Sequence, residues 1–326
     1  MEPLDGHILH ALQVAPRAPF RRIAEVIGAG EQTVARRYRA LRRDGALRVI
    51  GVVNPRVYGE DQWIVRVRAK PDNLPRLAEA LVRRPDVTHA NVLSGGTELV
   101  CVVRAPIGDA GDGLLHRLPR TPAVLEMRID LVLNVFGSPA GAHWTGHGHA
   151  LDEDQIKALR QQVEGARPDR PAAPTAGDQP LLEALANDGR IADNALATLT
   201  GWSPARVKRR LAALQASDTL AYDLDVLPER LGFMLNAMIW ISTAPRHLAS
   251  VAEQIARHPE VASVVAVSGP ANLMVVVICR DAGHLYRYIA ERLATVDDIQ
   301  AYDVSVRSKR LKQVGSLVSR GRLIRA

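Results

Sequence analysis

The 326 residues suffice for two or more domains, each with a core of its own, and 47% apolar with 24% charged content marks a folded chain rather than a disordered one. A balance of 42 Lys and Arg against 35 Asp and Glu leaves a net charge of +7, which favours an anionic partner, nucleic acid first. Only 4% of the residues are aromatic, against the base-stacking surface of a single-strand binder, and no stretch approaches the roughly 20 apolar residues of a membrane helix.

The opening MEPLDGHILHAL is acidic and lacks a basic export leader, so the expectation is a cytoplasmic protein with no membrane attachment. Residues 5–14 read as a short helix with Ile8, Leu9 and Leu12 inward. A loop with Pro16 and Pro19 leads to 20–27, where Ile23 and Ile27 stand at helical spacing, and Gly28-Ala29-Gly30 turns the chain into 31–47, EQTVARRYRALRRDGAL. There Val34, Tyr38 and Leu41 share one face, Gln32, Arg36, Arg39 and Arg43 line the other, and Gly45 stops the helix. Helix, glycine turn and second helix form a helix-turn-helix signature. LRVIGVV at 47–53 alternates like a strand and ends at Asn54-Pro55, as a wing would. The rhythm then changes: strand 63–69, helix 74–83, strands 87–93 and 98–104, helix 113–118, strand 125–135, the βαββαβ order of a ferredoxin-like domain.

HWTGHGH places His143, His147 and His149 at chelating intervals, but with no Cys or acid beside them a metal site is not expected. Residues 151–163 read as a short amphipathic helix, and 164–177, with Pro168, Pro171 and Pro174, as a linker.

Beyond the linker the pattern recurs. An offset of 173 pairs Asp5 with Asp178, Leu9 with Leu182, Gly28 with Gly201, Val34 with Val207, Arg36-Arg37 with Arg209-Arg210 and Pro55 with Pro228. It creeps to 174 at Gly95/Gly269 and 175 at Leu118/Leu293, as single-residue loop insertions require. Apolar positions and turn glycines matched at one spacing imply the same fold twice. In the second copy Ser203-Pro204 opens the basic helix, Ser as cap and Pro in the first turn. The division is therefore a winged helix-turn-helix over 1–59, a ferredoxin-like domain over 60–136, a linker over 137–177, a second winged head over 178–233, a second ferredoxin-like domain over 234–308, and a basic tail over 309–326, either solvated or holding phosphate. The fold class is α+β in two tandem units.

LVCVV at 99–103 and LMVVVI at 273–278 are apolar without alternation, which implies strands buried on both faces. Two helices cover one face of such a sheet, so a second copy of the sheet must cover the other, in a dimer or a pseudo-dimer within the chain. Cys101 and Cys279 lie in these runs and read as buried reduced thiols.

LDGHILHAL, RRIAEVIGAGEQTVARRYRALRRDGALR and VTHANVLSGGTELVCVV, with their second-copy counterparts, resemble the Lrp/AsnC family of feast/famine regulators in a tandem, fused form. The resemblance implies double-stranded DNA as partner, homodimers or higher oligomers through the ferredoxin-like (RAM) domains, and an amino acid or other small effector at the paired sheets. The family's Gly-x-x-Asp effector turn corresponds to Gly95, Thr97 and Glu98 in the first unit and to Gly269, Ala271 and Asn272 in the second. The acid is longer by a methylene in one and a neutral amide in the other.

Outward residues near the start of a groove-binding helix reach base edges. Here these are Gln32, Thr33, Arg36 and Arg37, and, after the cap Ser203, Ala205, Arg206, Arg209 and Arg210. Arg39, Arg42, Arg43 and Arg48 are expected on phosphate, where the second unit has Ala212, Gln215, Ala216 and Ala221, so the first unit should dominate affinity. The rival class is an enzyme. His89 in VTHAN resembles the His-bearing strand of siroheme decarboxylases, but Ser263 stands at its second-copy position and the accompanying Tyr and Arg are missing. The reading is a regulator without catalytic residues, cofactor or metal.

Overall fold

The computed structural model describes residues 2–108, 113–137, 144–160 and 174–325. In chain order, the first copy contains α1 (Pro3–Val14), α2 (Phe20–Ile27), α3 (Glu31–Arg43), β1 (Leu47–Val53), β2 (Asp61–Ala69), α4 (Leu74–Val82), β3 (Val87–Leu93), β4 (Glu98–Ala105), α5 (Leu114–Arg117) and β5 (Val124–Phe136). The connecting helix is α6 (Glu153–Arg160); the expected continuation to 163, and His143, lie outside the described residues. The second copy contains α7 (Gln179–Asn187), α8 (Asp193–Thr200), α9 (Pro204–Ala216), β6 (Leu220–Val226), β7 (Leu235–Thr243), α10 (Leu248–Ala256), β8 (Val261–Val267), β9 (Leu273–Cys279), α11 (Ala282–Arg287) and β10 (Ile299–Gln313). Two short strands end the chain, β11 (Ser316–Ser319) and β12 (Arg322–Arg325).

These elements sort into two compact units that do not follow the two copies. One holds Met1–Gly59, Gly148–Leu227 and Arg322–Arg325, both helical heads together; the other holds Glu60–His147 and Pro228–Gly321, both sheets together.

In the helical unit, α2 and α8 each end on a glycine in the left-handed region, Gly28 at φ +67° and Gly201 at φ +69°, and the turn into the basic helix follows. Ile8, Leu9, Leu12, Ile23, Val34 and Tyr38 close the first head, and Leu181, Leu185, Leu196, Val207, Leu211 and Leu214 the second. β1 is not a free wing. It pairs antiparallel with β6 over its whole length, from Leu47 opposite Val226 to Val53 opposite Leu220. A lone strand would leave a row of amides unpaired, and the duplicated strand supplies their partner. Because Leu47 matches Leu220 and Val53 matches Val226 in the repeat, the ladder has a local dyad at Ile50 opposite Asp223.

The dyad shows again in two arginines that sequence reading passed over. Arg17 reaches Gly189 O at 2.7 Å and Ile191 O at 3.2 Å, and its repeat mate Arg190 reaches Pro16 O at 2.5 Å and Ala18 O at 2.8 Å. Each guanidinium also lies over an aromatic ring, Tyr222 and Phe20 respectively. The heads approach closely enough to require glycine: a Cβ on Gly51 would stand 2.8 Å from Leu185 Cβ, and one on Gly189 2.9 Å from the Ile50 backbone.

In the sheet unit, hydrogen bonding runs β10-β3-β4-β2-β5-β8-β9-β7 and returns from β7 to β10, closing eight strands into a ring, with β11 added on β10. The long strands make the closure. β5 pairs with β2 through Leu131 and with β8 from Val132; β10 pairs with β7 through Val306 and with β3 from Arg307. Each strand thus turns from one sheet into the other. Between the sheets lie Ile64, Leu93, Val100, Met238, Trp240, Val265, Val267 and Met274. At roughly 1.5–3 kcal/mol for burying each large side chain, this layer makes sheet pairing strongly favourable. The helices cover the outer faces, over Val65, Val67, Leu99 and Cys101 in one sheet and Ile239, Ile241, Val275 and Val277 in the other. β4 and β9 are therefore buried on both sides, and the sheet pairing that their apolar runs required is made inside one chain.

The basic tail expected from 309 is instead structure. β10 runs on to Gln313, and Lys312, buried, donates to Val82 O at 3.0 Å and Arg84 O at 2.8 Å at the C-terminal end of α4, where a cation satisfies free carbonyls. β12 belongs to the helical unit, where Leu323 N–H donates to Gly45 O at 2.9 Å.

Candidate nucleic-acid interface and effector turns

Adjacent helical residues stand 100° apart, so Arg36 and Arg37 cannot both face outward, nor can Arg209 and Arg210. The structure separates them identically in both heads. Arg36 and Arg209 are exposed. Arg37 turns back to α1, pairing with Glu2 and standing 3.7 Å from Asp5. Arg210 grips Asp178 through Nε at 2.7 Å and Nη2 at 2.6 Å, and Asp178 also accepts from the Thr175 amide and hydroxyl at 2.7 Å each. Those bonds, the Arg210 guanidinium foremost, hold the Asp178 carboxyl down at about 2. Arg37 and Arg210, expected as base readers, are instead internal clamps.

Of the other expected DNA-facing residues in the first head, Gln32, Arg39 and Arg43 are exposed and Thr33 is half-buried. The Arg43 guanidinium lies 3.5 Å from its neighbour Asp44. Arg42 and Arg48, expected on phosphate, are engaged inside the helical unit: Arg42, still exposed, binds Asp188 at 2.8 Å, while Arg48 donates to Asn187 O at 2.7 Å and Ile324 O at 2.9 Å. Arg42, on α3, and Arg48, on β1, both reach the C-terminal end of α7 in the other head. In the second head Ala205 and Arg206 are exposed, and the Arg206 guanidinium stacks 4.3 Å from the centre of the Trp202 ring. Ser203 caps α9, its hydroxyl oxygen accepting from the Arg206 amide at 3.3 Å. Lys208 is exposed as well. Sequence reading missed it because its repeat mate is the buried Ala35.

The two effector turns differ. At the first, Gly95 and Gly96 take φ of +68° and +96°, and the Thr97 hydroxyl donates to Ser94 O at 2.9 Å. Glu98 is buried and accepts from Arg66 Nε at 2.8 Å and from the Ser305 hydroxyl at 3.3 Å. Arg66 in turn lies 4.1 Å from the centre of the Trp240 ring. Arg66 and Trp240 are repeat mates that meet between the sheets, a contact no linear pattern discloses. Arg66, Arg68, Glu98, Glu126, Arg128 and Asp303 line a cleft of about 220 Å³, cations and acids in equal number.

The second turn is filled by the chain itself. The Asn272 amide closes a two-way bond with the Thr243 backbone, accepting at 3.1 Å and donating at 2.8 Å. The Asp130 carboxyl occupies the space a side chain on Gly269 would take, and Ala271 packs at the rim of the inter-sheet core. Burial raises the Asp130 carboxyl, against Arg128 and Arg66.

His89 lies inside the sheet unit, pushed down to about 4 by burial and by Arg310, Arg307 and Lys312, and is neutral at pH 7. Among the described residues no group of three His, Cys, Asp or Glu side chains could hold a metal ion, and no helix is long and apolar enough to cross a membrane.

Comparisons with known proteins agree with this architecture. The AsnC-type helix-turn-helix domain matches residues 1–42 and 175–215, and the Lrp/AsnC ligand binding domain matches 236–317. The transcriptional regulator LrpA of Pyrococcus abyssi (strain GE5 / Orsay) is 26% identical over 136 residues, which are 41% of this chain and 96% of LrpA. AldR of Mycolicibacterium smegmatis (strain ATCC 700084 / mc(2)155), also named as a transcriptional regulator, is 28% identical over 144 residues, 43% of this chain and 84% of AldR. Each corresponds in length to one of the two copies. Over nearly the full length the fold is similar to the crystal structure of the siroheme decarboxylase NirDL, with a TM-score of 0.56 at 17% identity, covering 96% of this chain and 93% of that one. Matched heads, matched sheet and internal duplication together place the chain in the Lrp/AsnC family, as a tandem form with two fused units.

Proposed function

We propose that the chain is a sequence-specific DNA-binding transcriptional regulator that acts in the cytoplasm on double-stranded DNA. The observation that carries this reading is the selective exposure of cations on α3 and α9: Arg36, Arg39 and Arg43 on one, Arg206, Lys208 and Arg209 on the other. Arg36 and Arg209 read base edges, with Gln32 beside Arg36, because Arg bonds guanine and Gln bonds adenine in two-point contacts. Arg39 and Arg43 bind phosphate. The β1–β6 ladder and the Arg17/Arg190 clamp support the two helices as one reading head. The operator is asymmetric, since Ala212 and Ala216 stand where the first head has Arg39 and Arg43.

The effector cleft is the one beside Glu98, whose alternating acids and guanidiniums suit a small zwitterion such as an amino acid; the second turn, occupied by Asn272 and Asp130, binds none. The sheet face is already covered within the chain, so further association of copies falls to outer surfaces.

The test is binding of fragments from the chain's own promoter region, read by fluorescence anisotropy. Arg36→Ala is expected to cost about 1–3 kcal/mol and Arg209→Ala less; equal losses would contradict the asymmetric operator. The second reading, a siroheme decarboxylase, draws on the full-length fold similarity and on His89. It predicts a Soret band when siroheme is added, and appearance of that band without DNA binding would favour the enzyme.

A further inference from the structure

A second cleft in the sheet unit measures about 500 Å³, more than twice the one at Glu98. One wall is α11 with the wider π-helical turn that continues it, Tyr288–Arg292. His284, Arg287, Tyr288, Glu291 and Arg292 recur there at three- and four-residue steps, so a single face of the helix looks into the cleft. Glu260, just before β8, and Arg280, just after β9, complete the lining. A π turn is rare and occurs mostly at functional sites.

The polar groups there are not satisfied by one another. Glu260 is buried, yet among the described residues neither of its carboxylate oxygens accepts a hydrogen bond. His284 Nε2 stands 3.5 Å from Oε1 and Arg292 Nε 3.5 Å from Oε2. Oε2 is closed off from solvent, which leaves Oε1 to the cleft. A buried carboxylate short of donors is costly. Arg280 and Arg287 are exposed, with no carboxylate within 4 Å among the described residues.

The duplication provides an internal control. At the offset of 174, Asp86 corresponds to Glu260, Arg84 to His258 and Pro106 to Arg280. Arg84 closes a two-bond fork on Asp86, Nε to Oδ1 at 2.9 Å and Nη2 to Oδ2 at 2.7 Å. His258 instead turns its Nδ1 to the Tyr288 hydroxyl at 3.3 Å. Burial and Arg292 hold the His258 imidazole below its ordinary value, against Glu260, so it is neutral at pH 7 and does not replace the guanidinium. The same fold is therefore complete with its carboxylate satisfied internally, and the second copy has given up that fork beside a face of arginines.

We propose that this cleft binds a mononucleotide, its phosphate on Arg280 and Arg287 and an N–H edge of its base on Glu260. Converging guanidiniums suit a phosphate, whose three oxygens occupy more than one fork, whereas a single fork satisfies a carboxylate. Every common base carries an N–H donor, and carboxylates accept from such donors. The volume has room for a ring system as well as the phosphate, and the Arg292 guanidinium and His284 imidazole are planes on which a base stacks. Glu291, exposed at the rim, accepts from a ribose hydroxyl. This site shares no residue with the cleft at Glu98 and does not rest on the DNA-binding reading.

The experiment titrates the full chain by calorimetry, at matched ionic strength, with the common nucleoside 5′-monophosphates, their nucleosides, inorganic phosphate and free amino acids. At least one nucleotide is expected to bind saturably, about tenfold or more tighter than its nucleoside or phosphate alone. Arg287→Ala should weaken that binding about tenfold or more. Glu260→Gln should weaken the nucleotide and leave inorganic phosphate unchanged, because the amide offers the base one acceptor fewer. No saturable nucleotide binding, a nucleotide that binds no tighter than phosphate, its displacement by an amino acid, or undiminished binding in Arg287→Ala would each overturn the proposal. Should Glu260→Gln not fold, Arg280→Ala carries the same affinity test, and unchanged nucleotide binding in it would count against the site.

Discussion

Asp178→Asn tests whether the second head is held by a charge clamp or only by its leucines. The substitution keeps the shape of the side chain and removes its charge, weakening both bonds to Arg210 and those to Thr175. At about 1.4 kcal/mol per tenfold change in acidity constant, the fall from 3.8 to about 2 stabilises the folded head by roughly 2 kcal/mol. Asp178 is 1% exposed and Arg210 32%, so the abandoned guanidinium can rehydrate, and the loss stays below the ~3–5 kcal/mol of a fully buried pair. Since the folded-state pKa is depressed, this stability is complete above pH 4 and is lost as pH falls towards 2. Hydrogen exchange of the α7 and α9 amides reads the local opening free energy directly. The variant should open about 2 kcal/mol more easily at pH 7 and show a flatter dependence between pH 4 and 2. Asp5→Asn is the control. Burial outweighs Arg37 there and raises the Asp5 carboxyl, so neutralising it leaves the first head unchanged or slightly more stable. Equal destabilisation by the two substitutions, or an Asp178→Asn head with undiminished pH dependence, would refute the reasoning.

Other outcomes follow from the same geometry. Gly189→Ala should cost at least ~1–3 kcal/mol in denaturant unfolding, because its Cβ would stand 2.9 Å from the Ile50 backbone, which cannot move without breaking the β1–β6 ladder. Arg39→Ala combined with Arg43→Ala should reduce the salt slope of DNA binding by about 2, close to 0.9 per phosphate contact; an unchanged slope in an anisotropy titration would mean that neither touches the backbone. Cys101 and Cys279 are buried, and burial pushes both thiols up to about 12. Neither should react with a disulfide reagent at pH 8 until the chain is unfolded, and rapid labelling of the native protein would contradict the described core.

Much of this architecture was legible because it is repeated. A helix advertises itself through the spacing of Val34, Tyr38 and Leu41, and a constant offset between two such patterns turns local signals into a statement about the whole fold. The two-sided burial of 99–103 and 273–278 even required a second sheet, since an exposed run of valines has no other way to leave water. What periodicity conveys is which face of an element is inward. It carries nothing about what waits on the outward face.

For that reason the site was only half visible. Arg36 and Arg37 look alike as letters, and Glu2 and Asp5 on the chain before and along α1 make one a clamp while the other stays exposed. Arg42 and Arg48 look like phosphate ligands until β1 finds β6 and brings Asp188 and Asn187 alongside. Glu98 and Asn272 are recognisable as turn residues, but their different fates depend on Arg66 and Ser305 at one and Thr243 and Asp130 at the other. Sequence by itself determined the number of units, their element order and the faces that had to be buried, because those follow from periods of a few residues. Tertiary structure alone decided which cations stay free, since that depends on partners 32 to 146 residues away, some met within one head, as Asp178 by Arg210, and others only when the two copies close on each other, as Asp188 by Arg42.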